Sequence, residues 1–152
     1  MIRMLTLSGA VCLILSCSHF GGRTVKTAYI RDDYRETIRR TLFVLEDIIA
    51  DTGPGSDRVR ANGEHILRVL FERRREETKD PTGVLYARVR LKEESFIREY
   101  RTVNTVTAEI ALYEKGSEDP AALSLYSEDG DETLSSYAHL HDLLRRAFRC
   151  FR

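Results

Sequence analysis

The sequence predicts an α+β domain: a small antiparallel sheet of three to four strands with two to three helices packed on one face. Three observations carry that prediction. Apolar residues alternate with polar ones over 85–92 and again over 100–113, the period of a half-buried strand. Apolar residues recur at helical spacing before these runs, at Ile38, Leu42, Leu45 and Ile49, and after them, at Leu134, Ala138, Leu140, Leu144 and Phe148. Glycine, proline and acidic clusters separate the segments, notably Gly53-Pro54-Gly55, Asp80 to Gly83 and Glu128 to Glu132.

Taken in order, residues 24–30 hold Val25, Thr27, Tyr29 and Ile30, which favour a short strand, or else lead straight into the next element. Asp33 and Glu36 are spaced as a capping box ahead of the first apolar helical stripe, so a helix is expected over 34–51. Gly53 and Gly55 around the ring-locked Pro54 end it. A second helix is expected from about Glu64 to Lys79, with Ile66, Val69 and Leu70 on one face. Arg73 and Glu77 stand one turn apart in it, a pair worth a few tenths of a kcal/mol, roughly. A strand over 66–71 is the alternative reading. In the first alternating run Leu85, Ala87, Val89 and Leu91 oppose Tyr86, Arg88, Arg90 and Lys92; in the second, Val106, Ala108, Ile110 and Leu112 oppose Thr105, Thr107 and Glu109. Residues 121–127 make a further short strand around Leu123 and Leu125, and the closing helix follows the acidic turn.

The N-terminus reads as an address. Arg3 precedes the uncharged run 4–15, long enough for the apolar part of a signal peptide and too short to span a bilayer. Ile14 stands three places before Cys17 and the small Ser16 directly before it, the pattern of a bacterial lipobox. The expected organisation is a signal peptide over 1–16, a lipidated Cys17 with a flexible tether over 17–23 built on Gly21 and Gly22, and a single α+β domain over 24–152. An uncleaved anchor or an ordinary secretory leader is the alternative. Ser18 rather than aspartate after the cysteine favours the outer membrane, so the expected location is the bacterial cell envelope, lipid-anchored and facing the periplasm. With Cys12 removed and Cys17 acylated, Cys150 has no disulfide partner.

Charge narrows the function. The 24 Lys and Arg balance 24 Asp and Glu, without the basic excess that nucleic-acid binding requires. His139 and His141 are two residues apart on an expected helix and point about 200° from one another, unlike zinc pairs at three- or four-residue spacing. No nucleophile elbow, phosphate-cradling glycine loop or paired-carboxylate frame is present. The expectation is therefore a protein that is not an enzyme, with no cofactor, no metal site and no catalytic residue. The strongest binding candidate is the ladder Arg88, Arg90 and Lys92, cations about 7 Å apart along one strand face and suited to anionic headgroups. An ordinary solvated face answered by Glu93, Glu94 or Glu109 is the alternative. Arg145, Arg146, Arg149 and Arg152 cluster where a helix C-terminus favours cations.

The lipobox, a first helix, the runs 85–97 and 99–115 with their Thr102-Val-Asn-Thr-Val-Thr-Ala-Glu-Ile110 centre, a short strand and a closing helix together resemble the LPS-assembly lipoproteins known as LptE. The resemblance covers about the last seventy residues. It implies a non-catalytic outer-membrane lipoprotein that stabilises a large translocon β-barrel and contacts lipopolysaccharide or another anionic lipid. It also implies lipid-phosphate contacts from the basic residues of the long hairpin, Arg88, Arg90, Lys92, Arg98 and Arg101. The alternative is a periplasm-facing lipoprotein that binds and activates a soluble or cell-wall-synthesis partner.

Overall fold

The computed structural model describes residues 23–152; the leader, Cys12, Cys17 and the paired glycines lie outside the described residues. The fold is α+β. The elements run β1 (Thr24–Ile30), two short 3-10 turns (Asp32–Tyr34 and Ile38–Arg40), β2 (Thr41–Asp51), α1 (Ser56–Glu77), β3 (Gly83–Arg98), β4 (Arg101–Tyr113), β5 (Pro120–Gly130), α2 (Tyr137–Phe148) and a last 3-10 turn (Arg149–Phe151). One sheet orders them β1-β5-β4-β3-β2. All neighbours are antiparallel except β2 and β3, which run parallel with α1 as their crossover. The sheet is thus five-stranded and mixed, where the sequence predicts three to four strands, all antiparallel.

The difference originates in one segment. The helix expected over 34–51 is instead the strand β2. Leu45 pairs with Ala87 and Asp47 with Arg88, leaving Glu46 as an extra, unpaired residue. Such a bulge shifts the phase of side-chain alternation by one. Thr41 and Phe43 point inward before it, Ile48 after it, and all three are buried, with Leu45 and Ala50 partly so. An interrupted period of two thereby imitates a helical stripe. The expected capping box does not form either: Asp33 receives the Arg31 guanidinium at 2.7 and 2.8 Å, and the chain makes only a 3-10 turn there.

The second helix is real and longer than expected, beginning at Ser56 rather than near Glu64, so 66–71 is helical and not a strand. Its inward stripe is Val59, Gly63, Ile66, Leu67, Leu70, Phe71 and Arg74. Gly63 belongs to it because a Cβ there would stand 2.8 Å from Ile48 Cδ1 and 3.0 Å from Leu91 Cδ1, so the missing side chain lets the helix approach the sheet. The expected Arg73–Glu77 pair forms at 2.8 Å. The strands β3 and β4 alternate as predicted, with Leu85, Ala87, Val89, Leu91, Val106, Ala108, Ile110 and Leu112 all buried against the helices. In β5 the buried positions are Ala121, Ala122, Ser124 and Tyr126, while Leu123 and Leu125 are only partly covered. Ser124 is satisfied by donating to the Ala147 carbonyl of α2 at 2.6 Å.

The core closes on four phenylalanines. Phe43 of β2 meets Phe71, Phe148 and Phe151 edge-on at 5.6 to 5.9 Å between ring centres, a favoured aromatic geometry. Arg74 continues the α1 stripe into this cluster at 6% exposure. Its guanidinium lies 4.1 Å from the centre of the Phe43 ring. It donates to the carbonyls of Thr41 at 2.8 Å and Phe151 at 3.0 Å, and to that of Ile38. One side chain therefore fastens the end of α1 to the start of β2 and to the last turn.

Candidate functional site

Each strand of the sheet's long hairpin outruns its neighbours. Pairing with β2 stops at Lys92, opposite Asp51, and pairing with β5 begins at Asn104, opposite Gly130. Beyond both points, from Phe96 with Val103 to Arg98 with Arg101, β3 and β4 pair only with each other. The base of this projection is fastened on the helix side. Glu93 accepts the Leu134 backbone N–H at 2.7 Å. Ser95 donates to Asn104 at 2.7 Å, and the Asn104 amide donates to the Asp131 carbonyl at 3.3 Å.

The tip has a different chemistry from the base. Ile97 is 81% exposed, Tyr100 fully so and Phe96 40%. The two turn residues, Glu99 and Tyr100, both have positive φ, at 50° and 66°. That is the left-handed pair a two-residue hairpin turn demands, occupied here by two residues for which it is unfavourable. Arg98 and Arg101 stand directly opposite one another across the ladder, and among the described residues neither has a carboxylate within ion-pair distance. Like charges in that position repel. The tip thus combines uncovered apolar surface with a cation pair that lacks counter-charge.

The other sequence-predicted cations sit on the open sheet face and are largely answered. Arg88 is held by Glu46 at 2.6 Å and lies 4.4 Å from the centre of the Tyr113 ring; the Glu46 hydrogen bond raises its pKa. Lys92 is held by Glu94 at 2.8 Å, which likewise raises its pKa. Arg90 has Glu109 as its cross-strand neighbour. Of the five basic candidates, then, the structure brings Arg98 and Arg101 together with exposed apolar residues and sets Arg88, Arg90 and Lys92 apart on a mixed-charge surface. Cys17 lies outside the described residues.

No protein-family model and no curated protein matches the sequence. The fold has solved counterparts. A PelC dodecamer from Paraburkholderia phytofirmans superposes on 84% of this chain and 96% of its own, with a TM-score of 0.50 and 10% identity. A single-substitution variant of that dodecamer covers 86% and 97%, with a TM-score of 0.47 and 10% identity. At such identity the likeness is one of fold.

Sequence reasoning named Arg98 and Arg101 but missed Phe96, Ile97 and Tyr100. The available signal was the run Phe96-Ile97 continuing past the last residue that β2 could pair. His139 Nδ1 lies 2.7 Å from a Glu132 carboxylate oxygen, and its buried Nε2 lies 3.7 Å from Glu128. The described residues contain no group of three or more potential metal ligands, and no helix among them is long and apolar enough to cross a membrane.

Proposed function

We propose that this protein is a lipid-anchored, non-catalytic subunit of a cell-envelope assembly complex, whose β3–β4 tip seats in the anionic surface of the membrane that holds Cys17. The observation that carries the reading is the juxtaposition of Ile97 and Tyr100 with the unanswered Arg98–Arg101 pair. Apolar side chains between cations are what an interfacial membrane site requires. Geometry supports it further. Thr24, Glu128, Val106 and Glu93 are at one level of the sheet, so the chain leaves toward Cys17 from the end that carries the tip. The tip reaches about 20 Å past that level at strand rise. The seven steps from Cys17 to Thr24 span at most about 25 Å. Anchor and tip can therefore share one membrane.

The partner side of the proposal follows the LptE resemblance: an outer-membrane β-barrel, with lipopolysaccharide or another anionic glycolipid as the lipid met at the tip. Sharing a fold with PelC, a protein solved as a dodecamer, is compatible with a subunit role. The test has two arms. Vesicles of phosphatidylcholine with and without phosphatidylglycerol are sedimented with wild type and with Ile97→Asp. Removing one buried isoleucine from an interface is worth about 1.5–3 kcal/mol, so a loss of tenfold or more in vesicle affinity is expected, with Arg88→Gln unchanged. Equal binding by Ile97→Asp would discard the tip. In the second arm, crosslinking of the tagged protein in membranes, with Cys17→Ala as control, is expected to recover a β-barrel protein; recovery of soluble cell-wall enzymes instead would select the alternative partner.

A further inference from the structure

At the end of the sheet opposite the hairpin tip, beside the C-terminus of α1, lies a pocket of about 490 Å³. Its charged lining is Arg39, Arg40, Arg74, Lys79, Arg152 and Glu77. Glu77 is already held by Arg73 at 2.8 Å, and its carboxyl pKa is lowered mainly by that hydrogen bond. None of the five cations has a carboxylate within ion-pair distance among the described residues. Many arginines elsewhere do have one, among them Arg31, Arg35, Arg60, Arg68, Arg88, Arg145 and Arg146, so it is the convergence of five such cations on one concavity that sets the pocket apart.

A helix C-terminus attracts cations, which accounts for Arg74 and Lys79. It does not account for Arg39 and Arg40, delivered by a 3-10 turn, or for Arg152, delivered by the turn after α2. Arg40 is aimed by donating Nε and Nη2 to the Asp80 carbonyl. Arg74 spends three of its five N–H groups on carbonyls and so retains two donors. It is a buried charge with no ionic partner, an arrangement that is costly unless an anion completes it.

We propose that this pocket is a binding site for a polyvalent oxyanion, a phosphate or diphosphate group carried on a larger molecule. Three elements converge five cations on one concavity, and the volume exceeds what a bare phosphate fills. Planar guanidinium forks suit tetrahedral oxyanions. The site is independent of the membrane reading, since it lies at the far end of the sheet from the tip.

The test titrates inorganic pyrophosphate, and separately inorganic phosphate, into the full-length protein by calorimetry at constant ionic strength set with chloride. Arg39→Ala with Lys79→Ala is the comparison variant, because both side chains are exposed and their loss leaves the core intact; its thermal midpoint serves as the folding check. Saturable binding of pyrophosphate below about 1 mM, weakened at least tenfold in the double variant, is expected. Vesicles containing phosphatidic acid separate the sources. Vesicle binding that needs Arg39 and Lys79 and is competed by pyrophosphate assigns a lipid phosphate; pyrophosphate binding without such vesicle binding assigns a soluble ligand. Absence of saturable binding, or binding equal in the folded double variant, would overturn the proposal.

Discussion

Replacing Arg74 tests whether a buried guanidinium can be a net fastener. Burial, with the nearby Arg152 charge acting in the same direction, pushes its pKa well below the usual arginine range, to about 10. At ~1.4 kcal/mol per pH unit, keeping it charged costs about 3 kcal/mol. Against that stand the carbonyls of Thr41 and Phe151, each of which forfeits about 1–2 kcal/mol if stranded, while the Ile38 carbonyl still accepts from the Thr41 N–H. The Phe43 ring contact adds about 1 kcal/mol. Arg74→Ala also opens a cavity worth about 1–2 kcal/mol. The balance is a net destabilisation of about 1–4 kcal/mol for Ala. For Met, which refills the space and removes the charge, it is about 0–2 kcal/mol. Arg74→Lys retains the charge and loses the fork that reaches three carbonyls at once, so it should be at least as damaging as Ala. Urea unfolding followed by circular dichroism reads the series directly. A lysine variant within about 0.5 kcal/mol of wild type, the usual scatter of an innocuous substitution, would show that the fork contributes nothing and refute the reasoning.

Two further outcomes follow from the geometry. Deleting Glu46 should leave a folded protein, because removing the unpaired residue restores regular alternation and keeps Phe43, Leu45, Ile48 and Ala50 inward; deleting Ile49 should not, since it turns Ala50 outward or buries Asp47. Acid titration should lower stability as pH falls below about 4, the ordinary carboxylate range. The sign is fixed by depressed folded-state pKa values: Asp142 is held down chiefly by its hydrogen bond from Arg145, Asp33 by Arg31, and Glu114 by Tyr34 and then Arg31. Their stabilisation is complete above the unfolded pKa and disappears as pH falls through the folded one, and Asp142→Asn should flatten part of that slope.

How much of this was legible in the sequence depended on whether a segment kept one period. The strands β3 and β4 alternate without interruption across the sheet body, and their faces were readable residue by residue. The strand β2 was not readable, because a bulge is defined by pairing with β3, forty residues away in the chain, and nothing local distinguishes a phase-shifted period of two from a period near 3.6. For α1 the obstacle was chemical. Neither Gly63 nor Arg74 is apolar, so neither marks a helix face, yet both occupy inward positions, one for its missing Cβ and the other for a fork that three distant carbonyls complete. Arg98 and Arg101 entered only through the family resemblance, alongside the ladder of Arg88, Arg90 and Lys92; Glu94 was legible as a counter-charge for that ladder, whereas the reach of Glu46 to Arg88 is set by the β2–β3 pairing.

The sheet gives the molecule a direction. Its inner strands have a neighbour on each side and its edge strands one, and the Arg98–Arg101 tip and the pocket beside Arg74 lie at opposite ends of the sheet. A like-charge pair at an uncovered tip would be removed easily by a single substitution if stability alone mattered. The placement of tip and pocket decides how they can be used under the proposed function: the tip lies at the end of the sheet where β1 begins at Thr24, so a lipid on Cys17 would turn the tip toward the membrane and the pocket away from it. A membrane at one end and a phosphorylated ligand at the other would engage the same sheet without competing, and binding at the two ends should then be additive, as expected of independent sites joined by a body that does not deform.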